Sequence, residues 1–183
     1  MRGAARLGAT AALLGAALGH PPLVAQSRLR VGIDAKAGFV WAVASTRASY
    51  GRGLSGGGSL SFGWSESPWR LRIEGTYARL DGANSSLGFP ALNLLGFGLT
   101  GVRRVGSPAG VIAPFLFAGL GPWNVQDALP FAAWRTGLGS WGGLGIEAGR
   151  GRLKAVLEGR LQRVTGHPGV SFARLDAGAR WAP

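Results

Sequence analysis

Trp69-Arg70-Leu71-Arg72-Ile73-Glu74-Gly75-Thr76-Tyr77 alternates: Trp69, Leu71, Ile73 and Tyr77 stand against Arg70, Arg72, Glu74 and Thr76. Successive side chains of a strand point to opposite sides, so this is a strand with one apolar and one charged face. The same period recurs on either side of it. Leu29, Val31, Ile33 and Ala35 oppose Arg30, Gly32, Asp34 and Lys36, and Leu60, Phe62 and Trp64 oppose serines and Gly63. Leu95, Phe97 and Leu99 oppose Gly96, Gly98 and Thr100; Leu144, Ile146 and Ala148 oppose Gly143, Gly145 and Glu147. Leu153, Ala155, Leu157 and Leu161 oppose Lys154, Glu158, Arg160 and Gln162. Ala173, Leu175, Ala177, Ala179 and Trp181 oppose Arg174, Asp176, Gly178 and Arg180. Val111 to Gly121 is apolar on both sides, and its Pro114 suits a strand end or bulge. These segments make eight strands.

The connections alternate in length. Ser65–Pro68, Gly106–Gly110 and Gly149–Gly151 read as tight turns, whereas 39–58, 81–90, 122–133 and 165–169 read as longer loops. Short turns at one end and long loops at the other describe an up-and-down barrel crossing a membrane, with turns inside and loops outside. An even number of strands returns the C-terminus to the turn end.

The chain's start points the same way. Arg2 and Arg6 precede the uncharged Ala/Leu-rich run Leu7 to Gly19, and His20-Pro21-Pro22 then leads to Leu23-Val24-Ala25-Gln26. That order is a secretory signal peptide, expected at residues 1–26 and cleaved after Ala25 or Gln26, leaving 27–183 as one domain. Its loss removes two arginines and lowers the formal charge from +12 to +10. The remaining arginines are interleaved singly with apolar residues, so lipid phosphates or a barrel interior suit them better than nucleic acid. The chain has no cysteine, which excludes a disulfide framework and a cysteine zinc site.

Within a bilayer every backbone N–H and C=O needs a partner in the protein, and strands meet that need only by closing into a ring. The expected fold is therefore all-β: an eight-stranded antiparallel up-and-down transmembrane barrel after a signal peptide. Eight strands leave an interior that side chains can fill. The apolar face then meets lipid, and Asp34, Glu74, Glu147, Glu158 and Asp176 point inward beside Arg30, Arg72, Arg160, Arg174 and Arg180. Buried charges persist only when paired, so these ten are expected to form an interior salt-bridge network, with inward glycines making room for the arginines. Trp64, Trp69 and Trp181 are expected in an inner aromatic girdle, and Phe39, Trp41, Tyr77, Phe89, Trp123 and Trp134 in an outer one.

Three stretches resemble a known group. Ala113-Pro-Phe-Leu-Phe-Ala-Gly-Leu-Gly121 is similar to the "P-Y/F-x-x-A-G-x-G" strand of the small OmpA/OmpX-like and opacity-like outer-membrane barrels. Gly143-Leu-Gly-Ile-Glu147 with Leu157-Glu-Gly-Arg160 resembles that group's "G-x-G-x-E … E-x-R" pair, and Gly178-Ala-Arg-Trp181 its closing "G-x-R-F" strand. The resemblance implies an outer-membrane location, outer-membrane lipid as surroundings, and Trp181 as the signal read by the barrel-assembly machinery. Ala182 and Pro183 after that aromatic depart from the pattern.

Catalysis finds little support. His167 is the one histidine beyond the signal, and a hydrolase drawn from His167, Ser171 and Glu158 would sit in Gly-His-Pro-Gly turn chemistry with no motif spacing. Metal ligands are too few and too scattered. Gly56-Gly57-Gly58 precedes no Lys-Ser/Thr and no helix, so a phosphate loop is not indicated. The leading expectation is a monomeric, non-enzymatic barrel without cofactor, structural or surface-interacting, with loops 39–58, 81–90 and 122–133 open to an extracellular ligand. A small channel, a lipid-binding barrel and a soluble secreted barrel holding an apolar ligand are the alternatives.

Overall fold

The computed structural model describes residues 28–83, 90–106, 111–129, 131–166 and 169–183. The expected signal peptide, Phe89 and His167 lie outside the described residues. Eight strands run in chain order: β1 (Leu29–Ala42), β2 (Tyr50–Trp64), β3 (Trp69–Gly82), β4 (Leu92–Arg104), β5 (Ile112–Asp127), β6 (Arg135–Ala148), β7 (Leu153–Val164) and β8 (Val170–Trp181). Each pairs antiparallel with the next, and β8 pairs with β1 from Ile33↔Trp181 to Ala42↔Phe172, which closes the barrel. The ring leaves no sheet edge.

The strands are built inside out relative to a water-soluble protein. Leu144, Leu153 and Leu161 are more than 60% exposed on the outside, while Arg72, Glu74, Glu158 and Asp176 are almost fully buried inside. Water would penalise that outer surface, because large contiguous apolar patches are not left bare on soluble monomers. In lipid it is the favourable arrangement. This is a transmembrane β-barrel, with strands of 12 to 16 residues that match or exceed a membrane crossing.

Two loop expectations change. The stretch 39–58 is mostly ladder: β1 continues to Ala42, β2 starts at Tyr50, and only 43–49 connects them, carrying the 3-10 turn Ala44–Ala48. Its glycines serve close packing. A Cβ on Gly53 would strike the Arg79 carbonyl and one on Gly57 the Gly75 carbonyl, both on β3. Likewise β5 runs past Pro122 to Asp127, so the loop expected at 122–133 is 128–134. Pro114 lies near the start of β5 and points outward. The turn between β6 and β7 needs glycine for its backbone, with φ of +139° at Gly149 and +79° at Gly151.

The connections 65–68, 105–111 and 149–152 share one end with both termini of the barrel, called here the inner end. Exposed Trp64, Trp69 and Trp181 ring that end, and exposed Phe39, Trp41, Tyr77 and Trp134 ring the other. Trp123 does not belong to the outer girdle: it is 1% exposed and lies inside the barrel. Gly96 and Gly139 leave the space for it, since a Cβ on either would overlap its indole.

Face assignment sets a prediction. Leu157 points outward near the middle of β7, whereas Gln162 points inward with neither amide atom hydrogen-bonded among the described residues. Leu157→Arg is expected to cost about 2–4 kcal/mol of stability in lipid vesicles, as for a cation at the bilayer midplane. Gln162→Asn is expected to cost well under ~1 kcal/mol, because no hydrogen bond is lost. Urea titration of the refolded barrels measures both, and equal losses would reverse the two faces.

Candidate functional site: a filled lumen

The lumen has two layers, and the strand registers define them. Toward the inner end most inward positions are charged, with Val102, Phe115, Phe117 and Val156 buried among them. Toward the outer end the inward positions are Val40, Ala78, Leu80, Leu92, Leu94, Trp123, Trp141, Val164, Val170 and Phe172, all buried in one apolar cluster.

The charged layer consists of linked pairs. Glu158 accepts from Lys36 Nζ at 2.6 Å and from Arg72 at 2.7 Å. Arg160 forms a two-pronged pair with Glu74 at 2.8 and 2.9 Å, and Thr100 donates to the same carboxylate at 2.7 Å. Nearer the inner end, Arg180 donates to Glu147 at 2.8 Å and to Ser61 at 3.0 Å, and Arg70 also pairs with Glu147. Asp34 accepts from Ser59 at 2.8 Å and lies 3.8 Å from Arg180. A further pair, Arg174–Asp176 at 2.8 Å, is completed by Ser55 donating at 2.7 Å. Glu74, Glu147 and Glu158 are each met by two or more donors, and the Arg160–Glu74 pair is planar and charge-assisted.

Aromatic rings bind the two layers together. Arg160 lies over the Phe117 ring at 5.1 Å and the Trp141 ring at 5.6 Å, and Arg70 lies over Phe115 at 5.3 Å. Such cation–π contacts strengthen when desolvated. Trp141 donates its indole N–H to Thr100 Oγ1 at 2.9 Å, and Thr100 in turn reaches Glu74. Above this, Trp123 packs edge-on to Trp141 and Phe172, with centroids 6.4 and 5.8 Å apart. Inward glycines hold these rings: Gly98 and Gly119 face Trp141, and Gly143 and Gly145 face Phe117 and Phe115. The expectation that glycine mainly accommodates arginine fits Gly32, whose Cβ would come within 3.0 Å of Arg180, but the aromatics are the larger occupants.

Of the ten charged positions expected inside, nine are buried and in contact with a partner. Arg30 is not: it is exposed at the inner end of β1 and has no ion pair among the described residues. It is in phase with Asp34 but lies too near the strand end to be enclosed. Lys36 and Arg70 join the network although neither was expected there, and both stand two residues from an expected member on the same face. Ser171 and Glu158 do not meet. Ser171 lies at the outer rim on the lipid side, its N–H donating to Thr46 Oγ1, while Glu158 is inside. Among the described residues no three His, Cys, Asp or Glu side chains converge on a point.

No protein-family model matches the sequence, and no curated protein does. Solved structures match in fold. Neisserial surface protein A shares 16% identity over 82% of this chain and 96% of its own, with a TM-score of 0.64. The N-terminal β-barrel domain of Pseudomonas aeruginosa OprF shares 17% over 85% and 100%, with a TM-score of 0.55. The attachment invasion locus protein Ail of Yersinia pestis shares 14% over 85% and 99%, with a TM-score of 0.39. The fold is that of the small eight-stranded outer-membrane barrels.

Removing one partner of a buried ion pair strands the other. Glu158→Gln leaves Lys36 and Arg72 facing a neutral amide, and is expected to cost about 3–5 kcal/mol. Glu66→Gln, on the exposed turn between β2 and β3, is expected to change stability by less than ~0.5 kcal/mol. Denaturant midpoints of the two refolded variants measure the difference, and equal midpoints would mean that the interior pairs carry no stability.

Proposed function

We propose that this chain is a non-enzymatic outer-membrane protein with a plugged, non-conducting lumen, which works through its outer surface. The observation that carries this reading is the apolar layer across the outer half of the lumen. Trp123, Trp141 and Phe172 interlock there with buried Val40, Leu80 and Leu94. An ion would have to shed its water to pass such a layer, at a cost of many kcal/mol. A ligand site inside would need space that these rings fill.

The outer connections are what remains. That between β5 and β6 exposes Leu129, Phe131 and Trp134, with Phe131 wholly solvent-facing at φ +66°, a backbone conformation rarely adopted by a bulky residue. Apolar side chains displayed at the tip of a barrel suit contact with an outside surface or partner. On this reading the protein is exported by the signal peptide at 1–26, inserted by the assembly machinery through Trp181, and acts as a monomer. The catalytic alternative loses its support because Ser171 and Glu158 face opposite sides of the wall.

Cell fractionation with a heat-modifiability gel tests the location: the expected result is an outer-membrane band whose mobility shifts on boiling, with a mature N-terminus at Gln26 or Ser27. Planar-bilayer recording tests the plug. No steps of porin size are expected, and stable open conductance would favour the channel reading instead. Trp181→Ala is expected to lower the amount of folded barrel in the outer membrane while export across the inner membrane continues. Unchanged levels would remove Trp181 from assembly.

A further inference from the structure

We propose that the outer wall formed by β6, β7, β8 and β1 carries a specific site for one phosphorylated, multiply acylated lipid of the outer leaflet. The site rests on a row of outward residues. Across three ladders the registers align Gly142, Leu161, Ala173 and Trp41, and the next row inward aligns Leu144, Gly159, Leu175 and Phe39. Small and large residues thus alternate across β6, β7 and β8, and Trp41 and Phe39 wall the β1 side. The result is two hollows of about 430 Å³ each on the lipid-facing wall, one around Gly142, Gly159 and Ala173 and the next above it, beside Ser140, Arg163 and Ser171. Their lower part is walled by leucine and Trp41, as an acyl chain requires. A flat strand surface of uniform leucines would offer no such seat.

The upper part is cationic. Arg163 stands in the outermost row between Ser140 and Ser171, and Arg52 pairs in register with Trp41. Both are exposed, and neither has an ion pair or hydrogen bond among the described residues. Arg79, on the outer part of β3, is by contrast opposed by Asp81 at 3.8 Å. Arg163 therefore places an unneutralised guanidinium at the upper hollow, and Arg52 adds a second one on β2 level with the Trp41 girdle, where lipid phosphates lie. Guanidinium binds phosphate through paired hydrogen bonds, and the two neighbouring serine hydroxyls add further donors. Apolar hollows, Arg163 at their upper edge and Trp41 with Arg52 at their side match a lipid with a phosphate head and several chains.

This inference rests on the outer-membrane reading, and the experiment separates the two. The probe is diphosphoryl lipid A, added to the refolded barrel in an uncharged detergent, with bound lipid counted by native mass spectrometry. One tightly held copy per barrel is expected. Gly159→Leu fills the hollow without disturbing the fold, since a Cβ there meets nothing nearer than the Leu144 carbonyl at 4.0 Å. It is expected to weaken binding about tenfold, through loss of chain contact. Arg163→Ala is expected to weaken it about fivefold and to erase the preference over a phosphate-free lipid of equal acyl number. Two controls carry the same changes elsewhere: Gly101→Leu on the outside of β4, and Arg103→Ala at the inner end. Both should bind as the parent does. Equal binding by Gly159→Leu and the parent, or an equal loss in Arg103→Ala and Arg163→Ala, would overturn the site and leave only general attraction of a basic surface. Each variant's heat-modifiable band reports the barrel itself, so a lost site with an intact band leaves the fold reading standing.

Discussion

The ladder between β1 and β8 is the bond on which everything else depends. A bilayer core has no water to pair with an open strand edge, so eight strands joined only by their seven hairpins would still be untenable there. From Ile33↔Trp181 to Ala42↔Phe172, the closing ladder satisfies both remaining edges at once. It also fixes the diameter, and the diameter fixes the contents. With eight strands the interior is only as wide as the side chains that project into it.

Closure then reverses the ordinary logic of burial. The apolar faces go outward because lipid receives them, so the polar half of every alternating strand is enclosed whether or not enclosure suits it. Charges that enter such a space need partners of opposite sign within hydrogen-bond reach. The network answers that need with pairs drawn from distant parts of the chain, such as Arg160 with Glu74 and Arg180 with Glu147. Contacts such as Lys36–Glu158 and Arg160–Glu74 reach across the ring and form only once it is shut, whereas Arg174 and Asp176 are two residues apart on β8. The interior charges therefore reward complete closure over partial sheets.

How much of this was legible depended on whether a residue's environment is announced by its neighbours along the chain. Alternation announces it, and Arg72, Glu74, Glu158 and Asp176 were readable as inward from two-residue spacing alone. Lys36 and Arg70 carried the same cue, being in phase with Asp34 and Arg72. Trp123 carried none, because β5 is apolar on both faces; its cue lies across the sheet, in the gaps left by Gly96 and Gly139. The run Gly51 to Gly58 looked like loop because glycine clusters usually mark turns. Here the glycines let neighbouring strands approach, a demand set by β1 and β3. The outer-wall hollows were invisible for the same reason: Gly142, Gly159 and Ala173 lie on three different strands, and only the registers bring them side by side.

Interior charges concentrate toward the inner end, among the rings of Phe115 and Phe117, while the outer half is apolar. Ion pairs gain strength as water leaves their surroundings, and the layer of Trp123, Trp141 and Phe172 closes the outer approach to them. Trp141 is the joint, since its ring packs in the apolar layer while its N–H ends on Thr100, which holds Glu74. A plug coupled in this way stiffens the wall from within, so the registers that align Leu161, Ala173 and Trp41 are held fixed from behind. A lipid site made of shallow hollows needs such a wall, because small gaps between strands vanish if the strands slide. Filling the lumen and shaping the outer surface are therefore parts of one arrangement, in which the interior supplies rigidity and the exterior the contact.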